Sequence, residues 1–503
     1  MNLGSIDSLT YLYPEGILIL AIVGIFLADL VTKDKEWLGT VALIGAALAL
    51  VFTSGLSFFG YRFIAGLQGW GEGWLFHRMM ILDNFAIFFK VLLSLAVLSA
   101  VWMSLGSNEV KGPNQGEYYA ILLASTLGMF FMASAANLLM AYLSLEFVSL
   151  TSYVLTGYLR HNRRSGEAAL KYLIYGGVAS GTMIYGMSWI FGLTGTMDYA
   201  QINAALLHGN PDHLTLFVAL VLVLAGFGYK IAAVPFHMWA PDVYHGAPIP
   251  ITAFLAVGSK AAGFALLMRF FYPALSTAGE AGVWQFLPGV DWPQLMLVIS
   301  MITMTLGNLA ALNQQNIKRL LAYSSIAHAG YVLMGFVVLS NEGLQAMLFY
   351  LVVYYLMTLG AFLVVMVVVN NTGREDLEGF RGLAWRGGVV PAVAMALFLF
   401  SLTGLPPLAG FIGKFYLFAA VVKAQFYYLA VVGILNSVIS LYYYVRVIKT
   451  MFLDAPLGTE GAVTLDSHNG SLLVLLSVVT VILGLYWAPV FEFADRSAHF
   501  FLG

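Results

Sequence analysis

Windows of about twenty consecutive apolar residues recur along nearly the whole chain, roughly fourteen of them, and each is long enough to cross the hydrocarbon core of a bilayer as a helix. Their centres lie in 14–32, 38–59, 82–104, 117–135, 138–159, 167–192, 214–239, 249–272, 295–313, 319–340, 344–370, 391–424, 426–450 and 471–490. No water reaches backbone groups inside a bilayer, so such a chain must satisfy them within helices. The expected fold is an all-α polytopic membrane protein. Composition agrees: charged residues make up 10% and mean hydropathy is +0.86, whereas soluble domains carry about 25% charge. The first apolar run, 16–31, follows no Lys or Arg and precedes many similar runs, which reads as a first span rather than a cleavable leader.

The charges outside the windows set an orientation. Loops after odd-numbered windows hold Lys33, Lys35, Lys111, Arg160, Arg163, Arg164, Lys171, Lys318, Arg319, Arg374, Arg381, Arg386, Arg446 and Lys449, while the opposite loops hold Arg62, Arg78, Arg269, Lys423 and Arg496. Basic residues accumulate on the cytoplasmic side. Both termini are therefore expected on the outer, periplasmic side of a bacterial inner membrane.

What the chain lacks narrows its chemistry. With no cysteine, it offers no thiolate for an iron-sulfur cluster or a zinc site. There is no Gly-x-Gly-x-x-Gly turn, phosphate-binding loop or His-x-x-x-His pair, so neither a nucleotide nor a metal is expected here. The aromatic residues suit packing and interface belts rather than a nucleic-acid surface, which needs a basic face. If redox chemistry drives this protein, its cofactors sit in partners.

Against this background the ionisable residues inside windows stand out. Lys230, Lys260 and Lys414 lie deep, where a charge costs about 2.5–3.5 kcal/mol on insertion scales, and such residues are functional candidates. Glu146 sits midway through the fifth window. Lys90, near the start of the third, is read as snorkelling to the interface. Asp29 and Asp83 near window ends, and Glu375, Asp376 and Glu378 in a polar loop, are read as solvated, and so is His245. Between Lys230 and Lys260 the chain breaks at Pro235 and passes His237; in the twelfth window Pro406 and Pro407 predict a second break. His328 lies within the tenth window beside Ser324, Ser325 and Tyr331.

The arrangement recurs. Glu146 precedes Lys230 by 84 positions and His328 precedes Lys414 by 86. Five windows separate the corresponding helices, an odd number, so the second unit would be inverted relative to the first. Proton transfer suits these groups, because burial lowers a lysine pKa and a nearby carboxylate raises it. A lysine whose acidic partner moves then alternately holds and releases a proton. Glu146 and Lys230 form the candidate pair; the competing structural reading is a static interhelical salt bridge. His237 lies seven residues, about two turns, beyond Lys230 and is a possible relay, as are His328 and Tyr331.

At Leu145-Glu146-Phe147-Val148-Ser149, Pro235-Phe236-His237-Met238-Trp239-Ala240-Pro241-Asp242, Ser325-Ile326-Ala327-His328-Ala329-Gly330-Tyr331 and Gly410-Phe411-Ile412-Gly413-Lys414-Phe415, the chain resembles the antiporter-like, proton-conducting membrane subunits of respiratory complex I. The second run is most similar to the subunit N branch. This resemblance implies a three-helix segment over 1–110, inverted five-helix repeats over 116–275 and 294–452 with the seventh and twelfth helices broken, and a C-terminal helix and tail over 468–503. It implies that Glu146 and Lys230 couple, that Lys260 is the central lysine and that Lys414 is the terminal one. Its further implications are M-like and K-like membrane neighbours, surrounding lipids, and a peripheral arm whose flavin, iron-sulfur clusters and quinone site belong to partner subunits. Two other readings share these residues: a subunit of a multisubunit sodium/proton antiporter, and a structural scaffold whose polar groups only order the bundle.

Overall fold

The computed structural model describes residues 4–58, 73–209, 211–279, 282–456 and 462–498; Arg62 lies outside them. Twelve helices in these residues are long and apolar enough to cross a membrane, or thirteen if the bent pair Leu377–Trp385 and Val389–Thr403 is one span. Two of the roughly fourteen expected windows fall outside the twelve. Window 167–192 lies in a 32-residue helix, Arg163–Thr194, in which Gly, Ser and Tyr dilute the apolar residues. Window 391–424 divides into two helices, Val389–Thr403 and Ala409–Lys423.

The N-terminal segment comprises α1 (Ser5–Leu9), α2 (Tyr13–Val31), α3 (Glu36–Phe58), a hairpin of β1 (Gly73–Leu75) with β2 (Met80–Leu82), and α4 (Asn84–Leu105). Then follow α5 (Gln115–Ser134), α6 (Leu138–Thr156), α7 (Arg163–Thr194), the short α8 (Tyr199–His208), α9 (His213–Ile231), α10 (Trp239–Gly246) and α11 (Ile249–Leu275). A second hairpin, β3 (Ser276–Ala278) with β4 (Trp284–Phe286), leads to α12 (Trp292–Leu312), α13 (Ile317–Val337), α14 (Asn341–Thr372), α15 (Val389–Thr403), α16 (Ala409–Lys423) and α17 (Tyr427–Phe452). The chain closes with α18 (Ser467–Leu485) and α19 (Ala488–Ala498).

The repeat is built into the helix ends. Asn137 caps α6 by accepting from Met140 N, and Asn316 caps α13 by accepting from Arg319 N. The helix after each, α7 or α14, is 32 residues long and stops at a glycine in the left-handed region, Gly195 (φ +71°) or Gly373 (φ +68°). There a side chain would be strained, so glycine ends the helix. Each unit then folds back: Asn137 bridges Asp198, and Asn316 bridges Asp376, both antiparallel. The pairs α5–α6 and α12–α13 pack alike at the start of each unit.

Three sequence expectations are corrected here. Lys90 does not snorkel: it is buried on α4, with its Nζ 2.6 Å from the equally buried Glu15 carboxylate of α2. Asp83 is not solvated, and Arg269 is not a loop cation. Their buried side chains pair, Arg269 also donates to Ala133 O (3.0 Å) and lies over the Phe85 ring, and Asp83 caps α4 at Ala86 N. Both partners lose water on burial, and their mutual pairing together with these further contacts offsets that loss. These bridges knit the N-terminal helices together and tie them to α11.

Candidate functional site

The first break follows α9. Ala232 caps the helix in the left-handed region (φ +57°), and Ala233 N returns to Gly228 O (2.8 Å). Lys230 thus occupies the last turn, where the negative end of the helix dipole favours a cation. It is 2% exposed, and its Nζ donates to Ser149 Oγ of α6 at 3.4 Å. Glu146 lies one turn before Ser149, and its Oε1 is buried without a hydrogen bond. No ion pair within 4.0 Å joins Glu146 to Lys230, so the predicted partners are neighbours across a serine rather than a closed salt bridge. Gly263 of α11 permits this crowding, since a Cβ there would stand 3.1 Å from Lys230 Cγ and 3.0 Å from Ile231 Cγ2.

Lys260 follows a π-helical turn, Leu255–Ser259, inside α11. Such bulges are frequent at functional sites. It is 3% exposed, and its ammonium donates to both the backbone carbonyl (2.7 Å) and the hydroxyl of Ser325 on α13. One turn along α13, His328 shares hydrogen bonds through Nδ1 with Tyr350 (2.6 Å) and through Nε2 with Tyr444 (3.3 Å); the Tyr444 hydroxyl also meets Ser324. A further turn on, Tyr331 contacts Ser437 Oγ (3.1 Å).

Lys414 ends this series. It is 5% exposed and lies over the Tyr331 ring at 4.3 Å, donating to Ser437 Oγ (3.2 Å) and to Thr403 O (2.9 Å). Thr403 is the last residue of α15, whose final carbonyls lack intrahelical partners. Lys414 therefore caps the second break, at Pro406 and Pro407, from beyond it, just as Lys230 sits before the first break at Pro235. Gly410 is required for the crossing, because a Cβ there would fall 1.7 Å from Ser401 O.

Helix α13 thus brings Ser324, Ser325, His328 and Tyr331 onto one polar stripe between Lys260 and Lys414. His237 does not join it: the side chain is buried beside the first break, and its Nδ1 bonds nothing. Sequence reasoning missed Ser149, Tyr350, Ser437 and Tyr444. Their common signal is a polar atom at helical spacing within an apolar window.

The face holding the odd-numbered loops carries a second cluster and corrects two more expectations. His245 is not free in solvent: its Nε2 lies 3.1 Å from Asn316 Nδ2 and 3.3 Å from Glu375 Oε2. Nor is Glu375 simply solvated, since Lys318, itself buried, holds its Oε1 at 3.3 Å and also donates to Ala247 O. Burial pushes the Glu375 carboxyl up, but the bond with His245 and the charge of Lys318 outweigh it and hold the pKa at about 2. Nearby, Asp242 of α10 bridges Lys171 (2.7 Å) and Arg319. The segment after the first break is thereby fastened to the start of α13. Among the described residues, no three His, Asp or Glu side chains are grouped to hold a metal.

Residues 135–440 match the family described as NADH:quinone oxidoreductase/Mrp antiporter, transmembrane. NADH-quinone oxidoreductase subunit N from Anaeromyxobacter sp. (strain Fw109-5) is 45% identical over 99% of this chain and 98% of its own length. A chain of respiratory complex I from Thermus thermophilus, solved with bound aureothin, superposes with a TM-score of 0.78 at 31% identity, covering 96% of this chain and 99% of that one. A chain of the Mrp complex from Dietzia sp. DQ12-45-1b has the same fold, with a TM-score of 0.80 at 22% identity over 98% and 97% of the two chains. The chain belongs to the NADH:quinone oxidoreductase/Mrp antiporter transmembrane family, among the sequences of NADH-quinone oxidoreductase subunit N.

Proposed function

We propose that this chain is a proton-translocating membrane-arm subunit of a redox-driven NADH:quinone oxidoreductase, with Glu146, Lys230, Lys260 and Lys414 carrying the proton and with His328, Tyr331 and His237 as relays. The observation that carries this reading is the state of the three lysines. Each is buried on neutral oxygen acceptors, and none has a carboxylate within 4.0 Å among the described residues. A cation that merely ordered the bundle would be paired, because an uncompensated buried charge destabilises the fold. An unpaired lysine can instead give up its proton, and it becomes harder to deprotonate when an acid approaches. Movement of Glu146 toward or away from Lys230 is thus a way to load or discharge the chain.

In this reading the redox chemistry lies in partner subunits: flavin and iron-sulfur clusters in a peripheral arm, with the quinone site outside this chain. The neighbours are M-like and K-like membrane subunits and lipid. The protein resides in a bacterial inner membrane with both termini periplasmic, and the cluster around Glu375 faces the cytoplasm. The inverted repeats 116–275 and 294–452 form two half-channels that meet at Lys260.

Reconstitution of the purified complex tests this. Lys260→Ala should lower proton ejection per NADH oxidised far more than it lowers assembly. Unchanged pumping would overturn the assignment. A purified assembly lacking flavin and iron-sulfur absorbance would favour the sodium/proton antiporter alternative, to which the Mrp fold likeness points.

A further inference from the structure

Buried hydroxyls almost always find a hydrogen-bond partner. Three tyrosines around Lys260 do not: Tyr172 on α7, Tyr244 on α10 and Tyr354 on α14 are all buried, and none of their hydroxyl oxygens bonds anything. Their positions are not scattered. Tyr172 Oη faces Ser152 of α6, Tyr229 of α9 and Ser259, the residue just before Lys260, with none of the three at closed hydrogen-bonding geometry. Tyr244 Oη and Tyr354 Oη both approach Ser325, whose hydroxyl holds the Lys260 ammonium. The Tyr354 ring lies 5.3 Å from His328. On the other side, Ser149, one turn from Ser152, holds Lys230.

We infer that Tyr172, Tyr244 and Tyr354 are relay tyrosines, their free hydroxyls bridging Lys230 to Lys260 and Lys260 to His328. This rests on the proton-translocation reading above and deepens it. A hydroxyl that is already committed to a strong bond must break it before it can pass a proton. These three have both a donor and an acceptor uncommitted, which suits a group that takes a proton on its oxygen while giving its own onward. The transfer balances: Lys230 goes from ammonium to amine, each hydroxyl ends with the one proton it began with, and Lys260 goes from amine to ammonium. The second leg repeats this, from Lys260 through the Ser325 and Tyr354 hydroxyls to the His328 ring. Ser149 and Ser152 donate to Leu145 O and Val148 O in the resting arrangement, so they must rotate to join.

The same geometry supplies a clean test. Tyr172 is wedged by its ring, stacked on Trp239 at 4.4 Å and edge-on to Tyr153 at 4.9 Å. Tyr→Phe at each site keeps the ring and removes only an unbonded polar atom. A purely structural role thus predicts no loss, since deleting an unsatisfied hydroxyl relieves a desolvation cost. The relay predicts that Tyr172→Phe, Tyr244→Phe and Tyr354→Phe assemble normally in the intact complex, that each cuts proton ejection per NADH severalfold, and that the solvent deuterium isotope effect on turnover rises. Unchanged pumping and isotope effect in all three variants would overturn the inference, as would failure of the Phe variants to assemble. Lys260→Ala, measured alongside, separates the two claims. Lost pumping there with unaffected tyrosine variants sinks the relay alone, whereas intact pumping in Lys260→Ala sinks the underlying reading.

Discussion

Lys230 and Glu146 face the same space but do not touch: the ammonium bonds Ser149 at 3.4 Å, and the carboxylate one turn away keeps a buried oxygen unbonded. A permanent salt bridge would have closed this distance. Glu146→Gln keeps the shape and removes the charge. Had the pair been a static bridge, the loss would be about 3–5 kcal/mol, and the complex would fail to assemble. With the pair open, the Gln variant should assemble near wild-type levels and lose most of its proton ejection. Native gels and proteoliposome acidification measure the two quantities separately.

Lys260 distinguishes a charge from a proton carrier. Arginine keeps a cation able to donate to Ser325, but it stays protonated at any relevant pH and presents a planar fork rather than a compact ammonium. Lys260→Arg should preserve the contact with α13 and the assembled complex, while pumping falls by about tenfold or more as a positioned proton carrier is lost. Pumping close to wild type in the Arg variant would mean that only the charge matters.

Much of this architecture can be read in advance, for definable reasons. Apolar windows mark spans because lipid imposes one length and one backbone solution. Pro235, Pro406 and Pro407 mark the breaks because they cannot donate to a helix, and the lysines beside them stand out against apolar surroundings. The repeat is also written in Asn137 with Gly195 and in Asn316 with Gly373, cap residues set 58 and 57 positions apart, a signal the spacing of ionisable residues only approximated. What stays hidden is who pairs with whom. Arg269 meets Asp83 from 186 positions away, and at that separation a paired charge looks like a loop charge. Tyr350 and Tyr444 likewise resemble interface-belt tyrosines until α13 brings His328 between them.

The Glu15–Lys90 pair provides a stability test away from the proposed proton path. Both side chains are almost wholly inaccessible and 2.6 Å apart. Glu15→Gln leaves a buried ammonium with no counter-charge, and Lys90→Met leaves a buried carboxylate, so each single change should cost about 3–5 kcal/mol. The double variant Glu15→Gln with Lys90→Met removes both charges and should recover most of that loss. A cycle of thermal-aggregation temperatures on the detergent-purified complex reads this out. Additive losses in the double variant would show that the two residues act independently.

The latch at Glu375 carries a pH signature whose sign follows from its environment. Its carboxyl is held at about 2 by His245, Lys318 and Asn316, with Arg164 3.6 Å away and with the Glu109 carboxylate as the nearby opposing charge. An unfolded glutamate titrates near 4.3. The folded value is the lower one, so the contribution to stability is complete above about pH 5 and disappears as pH falls from there toward 2. Glu375→Gln should therefore destabilise the assembled protein at pH 7 by an amount of order 1.5–3 kcal/mol, the worth of hydrogen bonds to a charged group. The gap to wild type should narrow steadily below pH 5. Thermal-aggregation curves for both proteins between pH 7 and pH 4 measure it. A gap that widens on acidification would mean that Glu375 is protonated in the folded state and that His245 and Lys318 hold something else.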